Sequence, residues 1–100
     1  MIKHIAMFKF KAFGSEEERE NYQQRLVNAF DGLENKIPEI KFLHIGFDEL
    51  KSEASYDFIV NVDIENLEAL SVYAKHPDHV KAVEVIKEMA MDRKVIDYEF

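Results

Sequence analysis

The sequence predicts an α+β domain with the ferredoxin-like order βαββαβ, in which a four-stranded antiparallel sheet carries its helices on one face. Three observations lead to this prediction. Four short segments rich in β-branched and aromatic residues are separated by stretches in which apolar residues recur with helical spacing. Each helical stretch lies between two strands, and the two middle strands follow one another directly. A chain of 100 residues, 47% of them hydrophobic, fits a single domain covering residues 1–100.

The first strand is predicted over residues 2–11, and its middle is apolar on both sides. The even positions are apolar except for His4, whereas the odd positions place Ile5 and Met7 between lysines. Successive side chains of a strand point to opposite faces, so the middle of this strand has apolar side chains on both faces. We therefore expect other parts of the protein to cover the sheet on both sides here. We expect the even face, which carries His4 and Phe8, to meet the helices.

The first helix is predicted to begin at Ser15, directly after Gly14 ends the strand. Ser15 and Glu18 have the spacing of a capping box, in which side chains satisfy free N–H groups at the helix start. Behind them, apolar residues recur at the three- and four-residue steps of a helix that faces a core. These residues are Tyr22, Leu26, Ala29, Phe30 and Leu33. Gly32 and Pro38 mark the end of the helix and the loop beyond it.

The second and third strands are predicted at Ile40–Phe47 and Tyr56–Ile64, with a polar loop between them. The third strand alternates, and one of its faces is wholly apolar: Tyr56, Phe58, Val60, Val62 and Ile64. This alternation is typical of a strand with one face in the core.

The second helical region is predicted to be broken by a proline and followed by the last strand. Asn66 is a suitable cap for a helix that carries Tyr73 on its apolar side. Pro77 restarts the helix, because the N–H that proline lacks is not needed at the first position. The inward residues of this second segment are Val80, Val83 and Ile86. Lys94–Phe100 is predicted to be the final strand.

The face of the sheet away from the helices is predicted to be apolar as well. We expect it to carry Ile5, Met7, Ile59 and Val95, together with the row of Leu43, Ile45 and Phe47. A large apolar patch left in water promotes association. The simplest cover is the same face of a second copy, related by a two-fold axis, so the sequence predicts a homodimer.

The charge and composition exclude several classes of function. The net charge is 13 − 20 = −7, which argues against nucleic-acid binding because that binding depends on Lys and Arg contacts to phosphates. The chain has no cysteine, so disulfides and thiolate metal sites are excluded. The first residues lack the apolar run of a signal peptide, and no stretch approaches the ~18 apolar residues of a membrane span. We therefore expect a cytoplasmic protein that does not bind membranes.

Two histidines, His76 and His79, flank Pro77 and Asp78, and this block has three interpretations. As a helix start, it places Pro77 at the first position and Asp78 at the positive helix end. As a metal site it is incomplete, because zinc needs at least three protein ligands and no thiolate is available, so we expect no metal. As a catalytic base, His79 would lie in the first turn of the helix, where the positive helix end disfavours the protonated imidazolium. The neutral imidazole can then accept a proton near neutral pH.

Tyr73 and His4 extend the third interpretation. Tyr73 precedes the proline break and offers a phenol that can hold a developing enolate or carbonyl oxygen. His4 lies among apolar residues on the face expected to meet the helices, so its ring has to find a partner. It is therefore either a satisfied core histidine or part of a pocket.

The chain resembles the stress-responsive α/β-barrel (Dabb) family from end to end. The resemblance lies in the opening IKHIAMFKFK, the pair Ile37-Pro38, the strand YDFIV, the block YAKHPDHVKAV and the closing DYEF. It implies a dimeric α/β barrel built from two ferredoxin-like protomers, in a family linked by its name to stress. Most members of that family have no assigned activity.

One branch of the family, similar to plant olivetolic acid cyclase, performs a cofactor-free aldol cyclisation of a linear polyketide. The resemblance implies catalytic roles for His4, Tyr73 and His79, with His79 as the base and Tyr73 as the group that orients the substrate oxygen. It also implies that no cofactor is needed. A further pocket histidine of that branch corresponds to Phe58 here, which makes the pocket more apolar. The expected ligand pocket, between sheet and helices, involves Phe8, Phe58, Val60, His76 and Val80.

Three functions remain open at this point. The first is a protein that binds a small apolar ligand without chemistry, and the second is a cofactor-free polyketide cyclase or related proton-transfer enzyme. The third is an oxygenase-like activity of the kind found in related dimeric α+β barrels. A ligand-sized cavity against His79 and Tyr73 favours an enzyme, whereas side chains that fill this space favour the binding protein.

Overall fold

Four strands and four helices follow one another along residues 1–100 of the computed structural model. They are β1 (Ile2–Phe10), α1 (Glu16–Phe30), α2 (Leu33–Lys36), β2 (Ile40–Phe47), β3 (Phe58–Ile64), α3 (Leu67–Lys75), α4 (Pro77–Lys87) and β4 (Ala90–Glu99). With neighbouring helices grouped, this is the predicted βαββαβ order.

The strands form one antiparallel sheet in the order β2-β3-β1-β4. Strand β1 is central, and its Ala6 lies opposite Val60 of β3 and Val95 of β4. Each helical region therefore connects two strands that have a third strand inserted between them. This is the ferredoxin-like topology, so the predicted fold class is confirmed.

The helices begin where the sequence predicts, because side chains satisfy their free N–H groups. The Ser15 hydroxyl accepts a hydrogen bond from the N–H of Glu18 at 3.1 Å, and the Glu18 carboxylate accepts one from the N–H of Gly14 at 3.1 Å. The Asn66 side chain accepts one from the N–H of Ala69 at 2.8 Å. Such caps are each worth about 1 kcal/mol.

All the helices pack on one face of the sheet, and the core lies between the two layers. The sheet contributes even-numbered residues of β1 and β3, among them Phe8 and Val62, while α1 contributes Leu26 and α4 contributes Ile86. These side chains are buried, and each contributes about 1.5–3 kcal/mol through the apolar surface it removes from water.

Some element boundaries differ from the prediction. Helix α1 ends at Phe30 instead of running to Leu33, because Gly32 takes the left-handed conformation, with φ of 69°, and breaks the helix. Leu33 nevertheless stays buried, at the start of α2. Strand β3 begins at Phe58, two residues later than predicted, and β4 begins at Ala90, four residues earlier.

The outer face of the sheet is the side away from the helices. It carries Ile5, Met7, Phe42, His44, Ile59, Asn61, Ile96 and Tyr98. The prediction that Leu43, Ile45 and Phe47 lie there is wrong. The pairing of β2 with β3 shifts between Ile40 and Phe42, and this bulge moves every later residue of β2 to the opposite face.

Val95 was also expected on the outer face, and this prediction is wrong. Val95 lies directly opposite Ala6, whose side chain faces the helices, so Val95 faces them too. Its neighbour Ile96 lies opposite Ile5 and takes the outer position. The apolar residues of β4 are divided between its two faces, so the sequence of this edge strand does not reveal which face is which.

None of the helices is long and apolar enough to cross a membrane.

Candidate functional site

A cavity of about 710 Å³ lies between the β1–β4 side of the sheet and helices α3 and α4. Twelve of its eighteen lining residues are hydrophobic, so it is an apolar space of the size that holds small ligands. The other six are His4, His79, Glu84, Lys87, Arg93 and Asp97, and the Tyr73 ring is among the twelve.

The start of helix α4 positions His79. Pro77 is the first residue of the helix, and His76 at the cap accepts a hydrogen bond on Nδ1 from the N–H of Asp78 at 3.1 Å. His79 follows in the first turn, with its Nδ1 3.0 Å from the carbonyl oxygen of Ala74. Because a carbonyl oxygen only accepts, Nδ1 carries the proton, and Nε2 of the neutral ring is left as an acceptor.

Tyr73 lies beside His79, on the preceding helix α3. The two ring centroids are 4.3 Å apart, and only 1% of Tyr73 is exposed. The Tyr73 hydroxyl has no hydrogen-bond partner in the chain. Only one fully buried side-chain polar atom lacks a partner, and that atom is Asn61 Oδ1. The Tyr73 hydroxyl is therefore not fully buried and keeps some accessible surface. The hydroxyl therefore opens on the cavity as an unused donor.

His4 completes the row of polar rings. Its Nδ1 contacts the carboxylate of Asp97, which lies directly opposite on β4. The His4 ring packs edge-on against the Tyr73 ring, with 6.1 Å between centroids. The carboxylate orients the His4 ring through Nδ1, as the Ala74 carbonyl does for the ring of His79.

Burial sets the protonation states of His79 and Tyr73. It lowers the pKa of His79 below the ordinary histidine value; the hydrogen bond to Ala74 acts against this lowering, and electrostatic interactions with His4, Arg93 and His76 add to it. Burial also raises the pKa of Tyr73 above the ordinary phenol value. Near neutral pH the imidazole is therefore neutral and can accept a proton, while the phenol can donate a hydrogen bond. The sequence predicted this direction for His79 from the helix end, but burial is the main cause.

The residues predicted to line the pocket fall into two groups. Phe8, Val60 and Val80 line the cavity. Phe58 does not, because it packs among other aromatic rings farther along the sheet, with 6.1 Å between its centroid and that of Phe8. His76 does not either, because its ring turns back to cap α4. The prediction that these two residues line the pocket is wrong.

Sequence reasoning missed Asp97 and Arg93. Asp97 belongs to the closing DYEF segment, but only the pairing of β4 with β1 brings its carboxylate to His4. Arg93 lies opposite Phe8 and therefore faces the helices, in the part of β4 that precedes the predicted start of the strand at Lys94. Arg93, Val95 and Asp97 occupy every second position of β4 and therefore share one face of the strand. This two-residue spacing is the signal that could have grouped them.

The histidines are not arranged as metal ligands. No three His, Cys, Asp or Glu side chains are close enough together to hold a metal ion. The Nδ1 atoms of His76 and His79 are both occupied by hydrogen bonds to the backbone.

Comparison with known sequences identifies a family pattern and two full-length relatives. The pattern of the Stress responsive A/B Barrel Domain family matches residues 2–100. An uncharacterised protein of Streptomyces coelicolor is 31% identical over 101 residues, covering 100% of both chains. Olivetolic acid cyclase of Cannabis sativa is 31% identical over 99 residues, covering 97% of this chain and 94% of that protein.

Comparison with solved structures supports the fold. A dimeric protein of unknown function from Bacteroides fragilis, with a ferredoxin-like fold, superimposes with a TM-score of 0.88. It is 28% identical, and the match covers 99% of this chain and 95% of that chain.

Proposed function

This chain belongs to the stress-responsive A/B barrel domain family, and from that premise we propose that it is a homodimeric, cofactor-free enzyme. The reaction is a proton transfer on a carbonyl compound that leads to an aldol-type ring closure. His79 is the base, and Tyr73 holds the oxygen that becomes an enolate. The substrate is a linear polyketide-like compound with carbonyl groups on alternate carbons.

One observation carries this proposal. A neutral imidazole with a free Nε2 and a phenol with a free hydroxyl lie side by side at the wall of a ligand-sized apolar cavity. A base and a hydrogen-bond donor in contact are the two groups that enolisation requires. A binding protein has no need to keep either group without a partner.

The proposed reaction proceeds in two steps. Nε2 of His79 removes a proton from a carbon between two carbonyl groups, and the C–H electron pair moves onto the carbonyl oxygen that Tyr73 binds. The resulting enolate carbon then attacks a second carbonyl of the same molecule, forming the ring C–C bond. The new alkoxide takes the proton back from His79, so the enzyme returns to its starting state and no redox partner is needed.

The apolar walls of the cavity assist both steps. They exclude water, and hydrogen bonds to a developing charge are stronger in a medium of low polarity. The His4 ring packs against Tyr73 and is oriented by Asp97, and we propose that it positions the far end of the substrate. The olivetolic acid cyclase relative supports ring closure as the outcome.

The test is turnover of β-keto and polyketide-like substrates by the wild type and three variants. We expect His79→Ala to abolish turnover and Tyr73→Phe to reduce it at least tenfold, with both variants folded by circular dichroism. His76→Ala is the matched control, because this histidine lies three residues away but outside the cavity. Equal loss of turnover in His76→Ala and His79→Ala would contradict a specific base.

Binding of a small apolar ligand without chemistry is the second candidate function. Phe58 favours it, because this aromatic residue stands where the resemblance to the cyclase branch implies a pocket histidine. Ligand binding by the wild type without any turnover would support this alternative.

We further propose that the homodimer forms through the outer face. Several apolar side chains there are open to solvent, including Met7 at 37% and Ile96 at 57% exposed. A second copy can cover these apolar residues with its own outer face.

Ile59→Lys tests the dimer. An unpaired ammonium buried in the interface costs several kcal/mol, so we expect light scattering to show monomer or aggregate. Leu50→Lys is the control, because Leu50 is 80% exposed in the loop between β2 and β3. An unchanged dimer in Ile59→Lys would place the interface elsewhere.

A further inference from the structure

The charged residues that line the cavity are paired except for one. The Asp97 carboxylate contacts the His4 ring, and Lys87 Nζ lies 3.9 Å from Glu84 Oε1 on the same helix. Arg93 lines the same cavity, but its guanidinium takes part in none of the ion pairs or side-chain hydrogen bonds of the chain. Arg93 is therefore the one cationic side chain of the lining with no partner inside the chain; it is exposed to solvent, in a chain whose net charge is −7.

The neighbouring carboxylate of Asp92 does not neutralise Arg93. Its Oδ1 accepts a hydrogen bond from the backbone N–H of Arg93 at 2.9 Å, and its Oδ2 accepts one from the Tyr56 hydroxyl. Asp92 and Lys94 lie opposite odd-numbered residues of β1, whereas Arg93 lies opposite Phe8, on the side of the helices. Strand geometry thus separates the guanidinium from the nearest acid in sequence and turns it toward the cavity.

Arg93 and His79 face the same space from opposite walls. Arg93 stands on the edge strand β4, while His79 stands on helix α4, and the charge of Arg93 is close enough to influence the imidazole. A ligand that reaches His79 with its reacting carbon can therefore place another group beside Arg93. The lining of this space as a whole is mainly apolar.

We propose that Arg93 binds the carboxylate of the ligand, so that the cavity takes an amphiphilic anion with its acidic end at β4 and its apolar body against α3 and α4. A planar guanidinium can donate two parallel hydrogen bonds to a carboxylate, which gives orientation as well as affinity. This inference rests on the proposed function only in placing the ligand in this cavity. It narrows the substrate class to keto acids that carry a free carboxylate.

The experiment compares three eight-carbon probes, octanoate, octanamide and octylammonium, by calorimetry at low salt. They share an alkyl chain and differ in the charge of the head group. We expect the wild type to bind octanoate at least tenfold more tightly than octanamide and to bind octylammonium least. In Arg93→Gln the preference for octanoate should disappear, and in Arg93→Lys it should be only partly retained, because an ammonium lacks the paired donors.

Lys81→Gln is the matched control. It removes one positive charge from helix α4 at a position that does not line the cavity, so the preference for octanoate should remain. A general effect of net charge would lower the preference equally in Lys81→Gln and Arg93→Gln, and would overturn the proposal. The proposal is likewise overturned if the wild type does not bind octanoate or binds octanoate and octanamide equally.

These measurements are independent of catalysis. His79→Ala should keep the preference for octanoate, because Arg93 is untouched. If no keto substrate is turned over but the preference depends on Arg93, the proposed reaction fails and the anion site stands. If turnover depends on His79 but the preference is absent, the reaction stands and the anion site fails.

Discussion

The helix-facing side of the sheet has two halves that differ in how they are filled. In the filled half, the Phe58 ring packs against the rings of Phe8, Phe10, Phe30 and Phe47, with centroids 5.1–6.1 Å away. In the hollow half, the cavity of about 710 Å³ separates Ala6, Val60 and Val95 from the helices above them. Both halves are built from the same strands.

The difference between the halves lies in the size of the side chains. Along β1 the helix-facing residues change from Phe8 and Phe10 to Ala6 and His4, and along β3 they change from Phe58 to Val60. Packed layers keep a nearly constant spacing, so aromatic rings fill it and small side chains leave a space. An unfilled space costs stability, and here the free polar atoms of the proposed site open onto it.

The largest effect is expected from emptying the filled half. Phe58→Ala should lower the free energy of unfolding by about 3–5 kcal/mol, because it removes a buried ring and leaves a cavity among its neighbours. Chemical denaturation measures this loss. Phe100→Ala is the aromatic control, because Phe100 is 56% exposed. If Phe58→Ala lowered the free energy of unfolding no more than Phe100→Ala does, the packing described for this half would be contradicted.

The converse change fills the hollow half. Ala6→Phe should reduce octanoate binding and turnover at least tenfold, because the new ring occupies the space of the ligand. The free energy of unfolding should change by less than about 1.5 kcal/mol, since the cavity offers room that a packed core does not. Ala54→Phe in an exposed loop is the control. Full activity in Ala6→Phe would mean that the ligand binds elsewhere.

A smaller effect is expected from pH. Burial lowers the pKa of His79 in the folded protein, so below the ordinary value of about 6.5 the unfolded chain binds a proton that the folded chain does not. Stability should therefore fall as the pH is lowered from about 6.5 to the lowered pKa. His79→Gln removes this contribution, so the loss of stability between pH 7.5 and 5.5 should be smaller than in the wild type. An equal loss in both proteins would show that the hollow half does not desolvate His79.

The smallest effect concerns the wall of the hollow half. Pro77→Ala should cost no more than about 1 kcal/mol, because proline at the first helical position neither provides nor blocks an interior hydrogen bond. Thermal denaturation measures the change. A much larger loss of stability would mean that the rigid backbone at Pro77, and not the packing of α4, fixes the position of the helix start that carries His79.

Sequence reasoning described the filled half better than the hollow half. The apolar spacing of Tyr22, Leu26 and Phe30, together with the alternation around Phe58, predicted a packed layer, and the structure confirms it. In the hollow half, the row of His4, Tyr73 and His79 was named from the residues and the family resemblance. The partners of these residues, Asp97 and Ala74, were not named, because a hydrogen bond depends on a distance that the sequence does not contain.

The sequence by itself determined the order of elements, the helix starts at Ser15 and Asn66, and the restart at Pro77. These features depend on contacts between residues a few positions apart, which local patterns record. The tertiary structure alone decided that Val95 faces the cavity and that Arg93 stands there without a partner. The reason is that the face of a strand depends on its register and bulges, and these are set by pairing with β1, more than eighty residues away along the chain.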